Sequence, residues 1–356
     1  MTSPHPTAGA PPVAATSSPP APRWTVDYSD ADLDALLAGD NTLAVFGFGR
    51  DAPRHDDPRY LRVSLQPHGT APLEVWRSAG PVARGRDGDV AWAEDGALQF
   101  GAIELDELPG DDDSDIERTT EAIYRRLSAF VVARGYPHLL RMWNYLDGIT
   151  VGDGDDERYR RFCVGRARGR GDVDVRQLPA ATAIGRVDGV RRLQVYWLAA
   201  REPGTPLENP RQVSAYRYPR EYGPQSPTFA RALLPPSPRV PLLLSGTASI
   251  VGHASQHADS LRAQLDETLT NLDSLLGAAR ERAPTLSPHL DGTSRLKVYV
   301  RDAADADAVA DAAAVVGLHK RSGDAGDCDA DGAAGDAVSC VHDARLAAVG
   351  RAQHVG

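Results

Sequence analysis

Arginine supplies nearly all of the positive charge in this chain, and that choice already limits its chemistry. Of 39 Lys and Arg residues almost all are Arg, dispersed along 356 residues. A guanidinium stays charged when partly buried and matches a carboxylate two hydrogen bonds at a time, so a few converging arginines suit a small dianion. No Lys/Arg block is present, and the formal net charge is -10, which speaks against nucleic acid or an anionic membrane as partner. The densest run of chemically useful residues lies between 208 and 276, where ENP, AYRYPREYGP, SPTFARA, SGTASIVGH and a Q-x-x-x-T-x-x-NL pattern follow one another. A second run, E-x-YR-x-FCVGRA, spans Glu157 to Ala167.

Other constellations are weaker. His253 and His257 stand at i, i+4 with Asp259 nearby, a spacing that on a helix could serve zinc, but no Glu sits between them as in HExxH. Asp153 to Glu157 is acidic without the ligand order of a calcium loop, and Gly47-Phe48-Gly49 lacks the GxGxxG context of a nucleotide site. Cys163, Cys328 and Cys340 form no CxxC pair and no even disulfide framework, so a reducing cytoplasm is expected. No metal and no organic cofactor is expected. Trp143, Trp197 and Cys163 fall in apolar patterns and read as core.

The elements that must position these residues show in the periodicity. Asn41–Gly49 and Ala97–Leu105 read as strands, and Asp106–Glu117 as an acidic loop. Ile123, Leu127, Phe130 and Val131 stripe a helix beginning near Thr119 and closed by Gly135 and Pro137. His138–Leu146 reads as the returning strand, Glu157–Arg166 as a helix and Arg192–Ala199 as a strand. A second strand, helix, strand order is expected from Pro241–Val251, the leucines 261, 265, 269, 272 and 276, and Arg295–Arg301. The domain boundary is expected near residue 190, giving units 24–190 and 191–356, each a sheet covered by helices. Residues 1–23, rich in Pro, Ala, Ser and Thr, are expected to form a disordered tail. With 42% apolar residues and no stretch of about 18 of them in a row, a soluble α+β protein without a membrane span is expected.

The 208–276 segment resembles the chorismatases, as do GYP-x-L-x-R-x-WNYL-x-GI at Gly135 to Ile149 and the E-x-YR-x-FCVGRA run. Members of that family cleave chorismate to pyruvate and a hydroxylated benzoate or cyclohexadiene acid. More distantly the segment is similar to the RidA/YjgF family, so two RidA/YjgF-like (chorismate mutase-like) βαβ-containing domains are implied, with the active site where they meet. By resemblance Tyr218 of RYP and Arg231 of FARA lie in the substrate pocket, Arg231 as a carboxylate clamp and Tyr218 as an orienting hydroxyl. Arg160, Arg166, Gly246 and Thr247 are further substrate-binding candidates. Gly246 stands where the family carries Ala or Gly, and the Gly subgroup tends toward 3-hydroxybenzoate. Thr150 stands where the family usually has Asn.

At the C-terminus the family's catalytic Glu is missing. Aligning Ser339-Cys340-Val341 and Ala344-Arg345-Leu346 to the related pattern puts Gln353 at that position. An amide cannot deliver the proton that enol-ether cleavage needs. Another acid such as Asp343, a weakened enzyme, or a protein that only binds chorismate are the open alternatives. A RidA-like imine hydrolase, with Arg345 gripping a carboxylate, is the third reading. A monomer in the cytoplasm acting on chorismate is the resulting expectation.

Overall fold

The computed structural model describes residues 21–68, 73–110, 115–291 and 294–315. The chain starts with β1 (Trp24–Ser29), the short helix α1 (Leu33–Leu37), β2 (Thr42–Phe48), β3 (Tyr60–Val63) and β4 (Leu73–Ser78). These strands form a four-stranded sheet in the order β1-β4-β2-β3. Next come β5 (Ala83–Asp87), β6 (Val90–Glu94), β7 (Leu98–Asp106), α2 (Ile116–Ala133), β8 (His138–Asp147), α3 (Arg158–Arg170), β9 (Ala180–Arg186) and β10 (Arg192–Ala200). Their strands build a six-stranded sheet in the order β5-β6-β7-β10-β8-β9.

Strand β10 shows how the layers are stacked. Side chains alternate across a strand, and here both faces are apolar: Leu193, Val195, Trp197 and Ala199 pack toward the helices, while Tyr196, Leu198 and Ala200 pack toward the four-stranded sheet. The core between the sheets is aromatic, with Phe46, Trp76, Phe100, Trp143 and Tyr196 in mutual ring contact. A strand buried on both sides reads as a continuous hydrophobic run, as RLQVYWLAA does.

Helices α2 and α3 cover the other face. Asp115 caps α2 by accepting from the Arg118 amide at 3.0 Å. At the far end Gly135 adopts φ 78°, which lets its own amide reach Val132 O and the Tyr136 amide reach Val131 O. Helix α3 lies tightly on α2 because it presents Gly165 and Gly169: a Cβ on Gly165 would come within 2.1 Å of Glu117 O, and one on Gly169 within 2.6 Å of Glu121 O. That close approach sets where α3 holds Arg166.

The remaining strands are short: β11 (Thr205–Leu207), β12 (Ala232–Leu234) and β13 (Leu243–Leu244) form a three-stranded sheet, and β14 (Ile250–Val251) pairs with β15 (Ala254–Ser255). Helix α4 (Leu261–Arg282) and α5 (Ala306–Val315) follow. The Ala180–Ala230 bridge and the Gly246 amide, which donates to Ala181 O, attach this part to β9 at the edge of the large sheet.

Several expectations need revision. Position 190 is not a break between sheets, because β10 pairs with both β7 and β8 at the centre of one sheet. The expected long strand 241–251 is split into two short ones by a stretch without regular structure, and among the described residues 295–301 pairs with no strand. Side chains hold that last segment instead: Arg295 donates to Val26 O, and Lys297 reaches Glu74 at 2.7 Å. On α4 the buried face contains Gln264, Asn271, Leu272, Leu275, Leu276 and Ala279, rotated from the expected leucine stripe. Residues 21–23, assigned to the tail, are tied in, since Arg239 donates to Ala21 O and Arg23 pairs with Asp95. Residues 1–20 lie outside the described residues.

Replacing Gly165 by Ala is expected to push α3 from α2 and lower stability by about 1–3 kcal/mol. Thermal or urea unfolding measures this; an unchanged midpoint would contradict the close packing.

Candidate active site

Arg231 immediately precedes β12, and Tyr218 closes a single 3-10 turn at residues 215–217. Both are buried, with 4% and 5% of their surface exposed. Arg231 Nη2 donates to the Tyr218 hydroxyl at 2.9 Å and to Val213 O at 2.8 Å, while its Nε has no partner. Its guanidinium carbon lies 5.6 Å from the Tyr218 ring centre and 5.4 Å from that of Phe229. Tyr222 stacks at a tilt on Tyr218, and its hydroxyl is 3.0 Å from His253 Nδ1.

Arg166 projects from α3 with 3% exposure and lies 5.4 Å from the Tyr124 ring centre. Its Nε and Nη2 are buried and without partners. One turn on, burial and then the nearby Arg166 charge push the Arg170 guanidinium down to about 10, which leaves it cationic at neutral pH. Tyr159 connects the two groups of residues, since its hydroxyl is in the electrostatic reach of Cys163, Arg166 and Tyr218. Arg160 differs: it faces Asp155 and Glu157 at 3.8 and 3.5 Å, and its stem packs against Gly223.

Gly246 donates its amide to Thr182 Oγ1 at 3.0 Å, and the hydroxyl of Thr247 is buried without a partner. The same Thr182 oxygen accepts from Arg141 Nη2. Arg141 is thus a buried guanidinium beside Gly246, 4.5 Å from the Trp143 ring centre, and burial pushes it down to about 10. Asn144 links this end to Arg166, donating to Thr182 O and accepting from the Tyr124 hydroxyl. Contacts therefore run from Tyr218 to Arg231, from the Arg231 carbonyl to the Ser245 amide next to Gly246, and from Gly246 through Thr182, Asn144 and Tyr124 to Arg166, with Thr247 next to Gly246 in the chain and Arg141 on Thr182. Arg141 is the R of L-x-R-x-WNYL, so its motif was visible while its direction was not. Gln353 and Arg345, with Asp343, lie outside the described residues.

The Q-x-x-x-T-x-x-NL motif is scaffolding for this region. Gln264 donates to the carbonyls of His257 and Ala258, and Asn271 donates to those of Ala248 and Ile250. His253 and His257 precede α4, so they do not share a helix face; His257 has φ 59° and lies 3.5 Å from Glu267. Among the described residues no cluster of three His, Cys, Asp or Glu could hold a metal. A cleft of about 520 Å³ beside α3 is lined by four acids, Asp115, Glu117, Asp155 and Asp156, against two arginines, Arg161 and Arg168, a net negative lining that does not suit an anion.

Glu208, the first residue of ENP, was given no role from sequence. Burial raises its carboxyl above the usual carboxylate range, against the opposing pull of Ser214, Arg231 and Arg217.

The layered α+β architecture has a counterpart among known proteins. Residues 74–199 match the family "Chorismatase FkbO/Hyg5-like, N-terminal". A chorismatase of Streptomyces hygroscopicus is 37% identical over 243 residues, covering 66% of this chain and 69% of that protein. A 3-hydroxybenzoate synthase of the same organism is 34% identical over 247 residues, covering 66% and 71%. A chorismatase crystal structure superposes with a TM-score of 0.69 at 32% identity over 83% of this chain and 90% of that one. The chain belongs to the chorismatase family.

Burial pushes the Cys163 thiol up to about 12, so it stays protonated at any physiological pH. Its peptide is expected to resist iodoacetamide at pH 8 in the native protein and to react after denaturation. Equal labelling in both states, read by mass spectrometry, would contradict the buried geometry.

Proposed function

We propose that this protein is a chorismatase that cleaves the enolpyruvyl ether of chorismate, releasing pyruvate and a hydroxybenzoate, in secondary metabolism. The observation that carries this reading is the buried Arg231–Tyr218 contact at 2.9 Å, beside further guanidiniums that lack carboxylate partners among the described residues, in a chain of this family. Chorismate brings two carboxylates, which are the groups these cations lack. Arg231 would fix one carboxylate through its free Nε edge, and Tyr218, polarised by Arg231, would orient the ether oxygen or the attacking water. Arg166 and Arg141 are the candidate clamps for the second carboxylate. The reaction is acid-base chemistry: a proton adds to the methylene carbon, and the ether carbon becomes an oxocarbenium ion. Capture by water gives pyruvate and a dihydrodiol acid. Pyruvate and 3-hydroxybenzoate together contain only the atoms of chorismate, so that outcome has no net consumption of water.

Gly246 favours 3-hydroxybenzoate, because the absent methyl leaves the ring room to shift beside Thr182. The RidA/YjgF-like character of the C-terminal half, a cytoplasmic location and a monomeric state belong to this proposal. Gln353 supports the competing reading, a homologue that binds chorismate without turning it over, because an amide is no acid.

Purified protein incubated with chorismate is expected to release pyruvate, followed through lactate dehydrogenase; pyruvate at background would favour the binder. Arg231→Lys keeps the charge but loses the fork, and kcat/KM is expected to fall by about 100-fold. An unchanged value would remove Arg231 from the site. Gly246→Ala is expected to shift product from 3-hydroxybenzoate toward the dihydrodiol acid, read by chromatography, and an unaltered ratio would contradict that role.

A further inference from the structure

Protonating an enol ether at carbon requires a neutral acid close to the carboxylate clamp, and the described part of the chain contains one suited by position. The β11–β12 ladder ends where Leu207 stands opposite Ala232, and Glu208 and Arg231 are the residues just beyond that pair. Residues directly opposite in an antiparallel pair project to the same face. Glu208 is thereby set beside Arg231, the residue that reaches Tyr218. Its carboxyl is in reach of the Ser214 hydroxyl and of the Arg231 backbone amide, and its Oε2 is buried without a partner. The other acids in the neighbourhood are differently placed: Asp155 is bound bidentately by Arg220, Glu157 faces Arg160, and Glu221 is largely exposed beside His253.

We propose that Glu208 is the proton donor of the reaction, supplying the function that Gln353 cannot; this rests on the chorismatase reading above. The Glu208 O–H bond breaks as the π pair of the enol forms a new C–H bond at the methylene carbon. Positive charge then rests on the ether carbon and oxygen. In the hydrolytic course water adds there and returns a proton to the Glu208 carboxylate, and the hemiketal collapses to pyruvate and the ring alcohol.

Substrate binding itself loads this acid. In the free protein the Arg231 charge opposes protonation of Glu208, while burial favours it. A substrate carboxylate on Arg231 offsets the cation and adds negative charge nearby, and both effects favour the protonated acid. The donor must be protonated to act, so the rate falls as pH rises through its pKa. The alkaline limb is therefore set higher in kcat, which reports the bound state, than in kcat/KM, which reports the free one.

The test compares wild type, Glu208→Gln and Glu208→Asp in the pyruvate assay from pH 5 to 10. Glu208→Gln is expected to lose at least about 100-fold in kcat with KM within about threefold of wild type. Glu208→Asp is expected to keep part of the rate with its alkaline limb displaced. A Glu208→Gln rate within about threefold of wild type would overturn the proposal. So would an alkaline limb in Glu208→Asp identical to that of wild type, and this comparison decides the matter if Glu208→Gln does not fold. Wild type without pyruvate release overturns both this role and the chorismatase reading, whereas an active wild type with an active Glu208→Gln removes only the role of Glu208.

Discussion

A buried guanidinium without an anion is the constraint on which the site depends. Removing a cation from water costs several kcal/mol unless charge and hydrogen bonds are supplied in return. Elsewhere this chain supplies them. Arg59, with no exposed surface, is held by Asp57 and by the carbonyls of Leu37, Gly39 and Thr42. Arg158 has Glu107 and the Asp147 carbonyl, and Lys297 has Glu74. Among the described residues Arg166 has the Tyr124 ring, no carboxylate and two unpartnered nitrogens. Arg141 has Thr182, a carbonyl and an indole, but no carboxylate among the described residues. Among the described residues these two cations have no carboxylate partner, which fits the proposed binding of an anionic ligand.

The fold exists to hold that unfavourable arrangement in place. Gly165 and Gly169 fix α3 against α2 and so fix Arg166 over Tyr124. The bridge from β9 to Ala230 and the Gly246 amide on Ala181 and Thr182 bring the loop segments carrying Arg231, Gly246 and Thr247 to the edge of the six-stranded sheet. Asn271 and Gln264 then clamp the 248–258 carbonyls to α4. Apart from the Gly246 amide on the Thr182 hydroxyl, the hydrogen bonds that position these loops end on backbone carbonyls.

How much of this was legible in the sequence depended on the range of the forces involved. Strands β2, β7, β8 and β10 and helices α2, α3 and α4 follow from period 2 or period 3.6 within a dozen residues, and Gly135 marked its helix end because only a positive φ fits there. The central position of β10 was not legible, because its pairing with β7 and β8 is decided between residues far apart in the chain, as Arg192 with Asp106 and Gln194 with Tyr145, and nothing local distinguishes a first strand of one domain from a middle strand of another. Segment 295–301 alternates as a strand should, yet Lys297 is drawn to Glu74 and the aromatic core instead. Tyr218 and Arg231 were legible as motif members. Arg141 and Glu208 stood in the same motifs, but their roles required knowing which face they take, and that is a matter of register.

The central claim is that the unpaired arginines await the two carboxylates of one substrate. A crystal structure with a non-reactive dicarboxylate analogue of chorismate tests it most directly. The expected result is one carboxylate on Arg231 beside Tyr218 and the other on Arg166 or Arg141, with the ring against Gly246. An analogue bound elsewhere, with those guanidiniums still unpartnered, would contradict the account.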